Sequence, residues 1–244
     1  MTTVAVLCDP PRPGLVLGEL VEETPLSPAE AAELYAALTR DTVRAVARSG
    51  GDLLVNYRPD DALDVAGDDA EAELRELLAD IVDDARFEPQ VGESLAGRIG
   101  NTATHLLETE AVASVAVARP EAALFARTEI DGTAMKLRST DAVVGPAPGG
   151  RVHFAAFGEP VDFADCLAPP AVATLTDRCL DAGLDVEFLE RKPLLETAAD
   201  LAAVVTGVRT RRRADGIVPR ALAEWVADSG LAVEATDDGL AVTR

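Results

Sequence analysis

The stretch VAVLCDPPRPGLVLGEL, residues 4–20, joins a continuous apolar run to a loop rich in proline. An unbroken run such as VAVLC (4–8) is typical of a strand buried on both faces of a parallel sheet. The loop holds four residues that favour a tight turn, Pro11, Arg12, Pro13 and Gly14. Ligands of open α/β sheets bind at the carboxyl ends of the strands. The stretch therefore predicts an α/β fold with a phosphate-handling loop, although Asp9 and Glu19 leave that loop short of positive charge.

Apolar runs and helical stripes alternate along the rest of the chain, which favours a mostly parallel, Rossmann-like sheet flanked by helices. Further strands are expected at 52–57, 112–118, 141–147, 151–157 and 185–190. Helices are expected to begin at a Ser27–Glu30 capping box and near 69–84, 95–107, 121–138, 170–182 and 197–206. Only a short PGG link separates 141–147 from 151–157, so these two strands are predicted to be antiparallel.

The sequence changes character after residue 206, so we expect two units, 1–206 and a C-terminal appendage at 207–244. The appendage combines a basic run, a short amphipathic helix anchored by Trp225, and a β-hairpin with a turn at 237–239. The basic run contains Arg209, Arg211, Arg212 and Arg213. It is interpreted as a solvated face, as a patch docked on the acidic core, or as the surface for a protein partner or homo-oligomer. A nucleic-acid-binding wing is disfavoured, because such a footprint needs many distributed cations.

The charge balance is strongly acidic. The 244 residues carry a formal net charge of −21, and Lys136 and Lys192 are the only lysines among 22 basic residues. Molar salt would screen the self-repulsion of such a chain, so we expect a halophilic protein. The same charge disfavours binding to nucleic acids and anionic membranes. The sequence has no apolar segment long enough for a bilayer and no signal peptide, which predicts a cytoplasmic protein.

Histidine and cysteine are scarce. His105 and His153 are the only histidines, and the three cysteines have no paired spacing, so neither a multi-histidine zinc site nor a CxxC site is expected. His153 and Cys166 fall near the predicted ligand edge of the sheet, but packing is the favoured interpretation for both.

Several weak motifs follow the order found in one known family. The loop DPPRPGLVLGEL (9–20) corresponds to a family loop of the form KAPRPGxVKTRL. The other segments are ELY and DT (33–35, 41–42), QVGESLAGRI (90–99), VAVARP (115–120), GPAPGGR (145–151) and LLETAADL (194–201). On these segments, residues 3–206 resemble the selenodomain-associated glycosyltransferase-like family, a domain of unknown function, as a divergent haloarchaeal-type member. They are similar, more remotely, to nucleotidyltransferases such as 2-phospho-L-lactate guanylyltransferase. The resemblance implies a GT-A-type nucleotide-binding fold.

The resemblance also implies a nucleotide site, and the charged positions of that site are altered here. The leading lysine of the family loop is Asp9, its later lysine, threonine and arginine are Leu17, Gly18 and Glu19, and the aspartate expected to bind metal is Ala118. The candidate nucleotide-binding residues are Pro11, Arg12, Pro13, Gly14, Arg119, Gly149, Gly150 and Arg151. Glu196 and Asp200 are the candidate acids. Ion pairs in an acid-rich protein are the alternative interpretation of the arginines, and no residue is assigned to catalysis or to a metal.

Two functions remain open at this stage. The first is a glycosyltransferase-like protein that is non-catalytic or binds nucleotides weakly. The alternative is an active, divergent glycosyltransferase or nucleotidyltransferase that uses a nucleotide or nucleotide sugar. No cofactor is firmly expected, but an active enzyme would call for Mg²⁺ or Mn²⁺, because a divalent cation neutralises leaving-group charge.

Overall fold

A computed structural model of the chain describes residues 1–237 and 239–244. The strands of the main sheet are β1 (Thr2–Cys8), β2 (Asp52–Tyr57), β3 (Arg86–Pro89), β4 (Ser114–Ala118), β5 (Ala142–Ala147), β6 (Arg151–Phe157) and β7 (Val186–Phe188). Their order across the sheet is β3-β2-β1-β4-β6-β5-β7. Only β6 runs antiparallel to its neighbours, which confirms the mostly parallel sheet and the antiparallel pair on either side of the PGG link.

Helices cover both faces of this sheet. They are α1 (Gly18–Glu23), α2 (Pro28–Ala47), α3 (Ala70–Leu78), α4 (Leu95–Thr104), α5 (Arg127–Lys136), α6 (Ala171–Asp181), α7 (Ala198–Arg213) and α8 (Arg220–Asp228). Alternate residues of β1 point to opposite faces. Val4 and Val6 pack with α2, α3 and α5, whereas Ala5 and Leu7 pack with α4 and α6. The result is a three-layer α/β fold in which β1 is buried along its whole length.

The capping box predicted before α2 is confirmed. The Ser27 hydroxyl accepts from the Glu30 N–H, and the Glu30 carboxylate accepts from the Ser27 N–H. The predicted apolar stripe of α2 is buried as expected, with Leu34 at its centre. Capping and burial act on the same residues here, which is why this helix could be predicted from its sequence.

Four boundaries differ from the sequence-based expectation. The sequence predicts a loop at 86–89, where the structure has a short edge strand with charged residues and no alternation. α3 ends at Leu78 rather than near 84, and α5 begins at Arg127 rather than 121. α7 continues to Arg213, so the expected boundary at 206/207 falls inside a helix. The basic run of the appendage is therefore the last turn of α7, where cations complement the helix dipole.

The C-terminal segment packs on the main unit. α8 is followed by a hairpin of β8 (Ala232–Thr236) and β9 (Gly239–Thr243); Asp238, in its predicted turn, lies outside the described residues. Leu222 and Val226 of α8 join Leu34 and Leu38 of α2 in one apolar cluster, with Trp225 packed against it. None of the helices in the described part of the chain combines the length and apolar character that a bilayer crossing requires.

Candidate anion-binding site

The parallel strands bring a set of charged residues to one edge of the sheet. Asp9, Arg58 and Arg119 are the first residues after β1, β2 and β4, and these three strands are parallel neighbours. Arg151 opens β6, which runs the other way, and so it lies at the same edge. This is the carboxyl edge, where α/β sheets bind their ligands.

Asp9 and Arg58 form a two-pronged ion pair across the ends of β1 and β2. Arg58 Nε and Nη2 donate to the two Asp9 carboxylate oxygens at 2.7 and 2.5 Å. The hydrogen bond to Asp9 is the main reason that the pKa of Arg58 is raised. The Asp9 N–H donates to the hydroxyl of the buried Tyr35, so Asp9 is itself held in place. Asp9 therefore orients an arginine here.

Arg98, in the first turns of α4, is influenced by the charges of this pair. Burial lowers the pKa of Arg98, and the neighbouring positive charges of Arg58 and Arg119 lower it further, while Asp9 opposes them. Arg98 Nη1 donates to the backbone carbonyl of Glu93 at 3.2 Å. Its buried Nε has no hydrogen-bond partner among the described residues. A buried, unpaired N–H costs about 1–3 kcal/mol, so this arrangement of Arg98 lowers the stability of the fold.

Arg119 and Arg151 belong to a shared network of carboxylates. Arg119 Nη1 donates to Glu196 at 3.0 Å, and its Nη2 lies 3.4 Å from Glu121. Burial by itself would lower the pKa of Arg119, but Glu121 and Glu196 raise it. Arg151 donates to Glu196 at 3.1 Å and to both oxygens of Asp200 at 2.8 Å. The structure thus brings four of the predicted residues together as an ion-pair network.

Asp200 is also part of the cap of α7. Its carboxylate accepts from the Thr197 N–H and hydroxyl, and the Thr197 hydroxyl accepts from the Asp200 N–H. Burial would raise the pKa of Asp200, but the hydrogen bonds from Arg151 and Thr197 hold it below its usual range. Asp200 therefore remains ionised at neutral pH, and both of its oxygens accept hydrogen bonds from the protein.

The glycine loop before Arg151 makes the turn that the sequence requires. Gly149 and Gly150 have φ of 73° and 72°, in the left-handed region that favours glycine. Arg151 Nε donates to the Pro148 carbonyl at 2.8 Å, so the turn also positions this arginine.

Arg12 lies in a different cluster. It is 6% exposed and donates to Asp60 at 2.6 Å, to Glu73 at 2.8 Å and to the Val65 carbonyl at 3.1 Å. The backbone of Gly67 approaches so closely that an added Cβ would lie 2.0 Å from the Arg12 Cζ. Arg12 thus ties the loop that contains Pro11, Pro13 and Gly14 to α3, and the structure does not bring it together with Arg119 and Arg151.

The two residues expected to serve packing are buried. Cys166 is 1% exposed, and burial raises its pKa to about 11. His153 is also 1% exposed, and burial lowers its pKa to about 4. Its Nε2 lies 3.4 Å from the Glu190 carbonyl. Both side chains are therefore uncharged at neutral pH.

The carboxylates at this edge do not fit a divalent cation. Asp9 forms an ion pair with Arg58, and Asp200 forms one with Arg151. Glu121 and Glu196 both pair with Arg119. Ala118, the last residue of β4, is fully buried and offers no side-chain oxygen as a ligand. Among residues 1–237 and 239–244, no group of three histidine, cysteine or acidic side chains is placed to hold a metal ion.

Comparisons with known proteins support the fold. A provisionally named nucleotide-diphospho-sugar transferase from Desulfovibrio desulfuricans G20 is similar over 93% of this chain and 98% of its own, with a TM-score of 0.74 and 18% identity. The 4-diphosphocytidyl-2C-methyl-D-erythritol synthase of Anaerococcus prevotii is similar over 85% of this chain and 96% of its own, with a TM-score of 0.51 and 12% identity. No protein-family model and no curated protein matches the sequence. The chain has the nucleotide-diphospho-sugar transferase fold.

Sequence reasoning missed two residues of this site, Arg58 and Arg98. Arg58 directly follows a predicted strand, which is a usable signal, and Arg98 is the arginine of the QVGESLAGRI motif. Neither could be placed beside Arg119 without the order of the strands in the sheet, because the three residues lie far apart in the chain.

Proposed function

We propose that the chain is a divergent member of the selenodomain-associated glycosyltransferase-like family that binds the phosphate groups of a nucleotide without transferring them. The proposed binding site, called the cleft below, is the carboxyl edge of the sheet at Arg58, Arg98 and Arg119. The observation that carries the proposal is the buried Nε of Arg98, which lacks a partner among the described residues. The positive charges of Arg58 and Arg119 also act on this side chain and lower its pKa. A phosphate oxygen would accept a hydrogen bond from that N–H, and its negative charge would offset the positive charges of the three arginines.

The residues have distinct roles in this proposal. Arg98 donates to the phosphate, and Arg58 and Arg119 supply further donors and charge. Asp9 and Glu196 are positioning residues, since each fixes one of these arginines by an ion pair. Asp200 fixes Arg151, which also contacts Glu196 and so completes the frame around the cleft.

We propose that the protein has no transferase turnover because its carboxylates are not free to bind a metal ion. Metal-assisted transfer needs carboxylates that are free to bind a divalent cation. The carboxylates of this cleft are bound to arginines, and Ala118 replaces the expected aspartate. Arginines can stabilise the charge of a bound diphosphate, but they do not replace a metal ligand.

Titration calorimetry tests the binding. Nucleoside diphosphates, nucleoside triphosphates and nucleotide sugars are added to the wild type, to Arg98→Gln and to Arg138→Gln, in high KCl with and without Mg²⁺ or Mn²⁺. Arg138 is an arginine just beyond α5, and its replacement changes the net charge equally. We expect at least one nucleotide to bind, at least tenfold more weakly to Arg98→Gln and unchanged to Arg138→Gln. The proposal is contradicted if none of these nucleotides gives a binding signal.

A turnover assay tests the second part. Hydrolysis of nucleotide sugars and release of pyrophosphate should stay at background with either metal, also in an Ala118→Asp variant that remains folded. Metal-dependent turnover by the wild type would instead establish the alternative, an active divergent transferase.

A further inference from the structure

A second pocket lies where the C-terminal segment docks on the main unit. It has a volume of about 520 Å³. Its walls come from the second half of α2, from the loop and first turn at 124–128, and from the segment 217–220 that leads into α8. This volume is within the usual range for small-molecule sites.

The lining of this pocket is basic, in contrast to the protein as a whole. Six cationic side chains line it, namely Arg44, Arg48, Arg127, Lys192, Arg211 and Arg220. Asp41 is its one acidic lining residue among the described part of the chain. The complete chain has a net charge of −21 and only 22 basic residues. More than a quarter of the basic residues thus line one pocket.

Four of these cations are paired with acids. Arg44 lies 2.9 Å from Asp41, Lys192 lies 3.1 Å from Glu129, and Arg220 lies 2.9 Å from Glu224. Arg127 is 3.6 Å from Asp131. The Asp41 carboxylate also accepts from the N–H groups of Ala221 and Leu222, at 3.0 and 2.8 Å, so its charge is used in holding α8 in place.

Arg48 and Arg211 differ from the other four. Both are exposed, and neither forms an ion pair or a side-chain hydrogen bond with any residue in 1–237 or 239–244. Arg48 follows α2 and Arg211 lies in the last turns of α7. Two guanidinium groups from different elements therefore line the same pocket with their donors available.

The pocket also has apolar walls. Phe125 is 4% exposed and Leu124 is partly buried, while Val218 and Pro219 line the side formed by the C-terminal segment. Ile217, also a lining residue, is 98% exposed. The Ile217 side chain is therefore available for contact at the mouth of the pocket.

We propose that this pocket binds a small organic polyanion with a flat apolar body. The body lies against Phe125 and Ile217, and two or more negative groups bind Arg48 and Arg211. Apolar walls with a few polar groups that fix orientation are what small-molecule sites share. The proposal is independent of the function proposed above, because the pocket shares no lining residue with the cleft of Arg58, Arg98 and Arg119.

Binding of pyranine, a fluorescent aromatic trisulfonate, tests the proposal. Its anisotropy is measured in titrations at one KCl concentration at which circular dichroism shows the fold to be intact. The wild type is compared with Arg48→Glu/Arg211→Glu and with Arg138→Glu/Arg213→Glu, an equal charge change at two arginines outside the pocket. If the first variant does not fold, Arg48→Gln/Arg211→Gln takes its place. We expect the pocket variant to bind at least tenfold more weakly and the control within twofold of the wild type.

Two further measurements complete the test. The first asks whether the ligand needs an apolar body as well as charge, and the second asks whether pyranine binds in this pocket or in the cleft. Inorganic pyrophosphate, which carries charge without an apolar body, should compete with pyranine only at much higher concentration. Arg58→Gln/Arg98→Gln should bind pyranine like the wild type. The proposal is overturned if the wild type does not bind, if the control weakens as much as the pocket variant, if pyrophosphate competes as well as pyranine itself, or if only the cleft variant loses binding.

Discussion

Arg58 donates from Nε and Nη2 to both carboxylate oxygens of Asp9, at 2.7 and 2.5 Å, across the ends of two parallel strands. An acid therefore stands at the position where the resembling family carries a lysine, and it holds an arginine from the next strand. Positive charge at this edge of the sheet comes from Arg58, Arg98 and Arg119 instead of from the loop after β1. The proposed phosphate site depends on these three arginines, which lie outside the loop after β1.

Replacing Asp9 with asparagine should tighten nucleotide binding. The Asp9→Asn variant would keep the size of the side chain and one oxygen that can accept from Arg58, so the arginine stays oriented. It would remove a negative charge near the phosphate, worth about 1 kcal/mol at 4 Å in water-like surroundings. We expect the affinity to rise about fivefold in titration calorimetry. Asp228→Asn, an equal change at an exposed position in α8, should leave the affinity unchanged. Weaker binding by Asp9→Asn would mean that the orientation of Arg58 matters more than the charge of Asp9.

Replacing Arg12 should destabilise the protein without affecting the cleft. Arg12→Ala would leave Asp60 and Glu73 without their partner and open space beside Gly67. Hydrogen bonds to charged groups contribute about 2 kcal/mol, and we expect a loss of that order in urea unfolding. Arg12→Met, which keeps the apolar stem, should lose less. Nucleotide affinity should stay within twofold in both variants, and a tenfold loss would show that Arg12 contacts the ligand.

Stability should fall in mildly acidic solution because of His153. Burial lowers its pKa to about 4 in the folded state, from an ordinary value of 6.5. The unfolded chain therefore takes up a proton first as the pH falls, and stability that is complete above pH 6.5 is lost progressively down to pH 4. The loss amounts to about 3 kcal/mol at most.

Urea unfolding between about pH 7 and pH 4.5, the range that spans most of this titration, measures the loss. His153→Gln should show a smaller decrease than the wild type. The same pH dependence in wild type and His153→Gln would exclude His153 as its source.

The melting temperature should rise with salt. The chain has a net charge of −21, so its acidic side chains repel one another in dilute buffer. Molar KCl shortens the range of that repulsion to a few ångströms. Thermal melts from about 0.1 to 3 M KCl should therefore show a steady increase. A melting temperature that falls as KCl rises would contradict the proposed adaptation to salt.

Much of the fold could be predicted because the local sequence patterns, apolar runs and helix caps, match the burial of the same residues in the structure. β1 is an unbroken apolar run and is buried throughout, and the Ser27 capping box begins the longest helix in the described part of the chain. The strand at 86–89 gave no such signal, because only Phe87 among its four residues is a large apolar side chain and the strand pairs only with β2 at the edge of the sheet. The end of α7 could not be predicted because a run of arginines in the sequence resembles the start of a new unit.

The site was predictable only in part, because its partners come from distant segments. Arg119, Arg151, Glu196 and Asp200 were identified, but their mutual ion pairs depend on the order β4-β6 and on the position of α7. Arg12, a candidate nucleotide-binding residue, contacts Asp60 and Glu73, which follow it by 48 and 61 residues. Contacts of that range cannot be derived from the pattern of one loop.

The most direct measurement of the central claim is a crystal structure after soaking with a nucleotide and a divalent metal. We predict electron density for the phosphates between Arg58, Arg98 and Arg119, with an oxygen within hydrogen-bond distance of Arg98 Nε and without a metal ion on Glu196 or Asp200. Density for the phosphates elsewhere, or phosphates held through a metal on these carboxylates, would contradict the account.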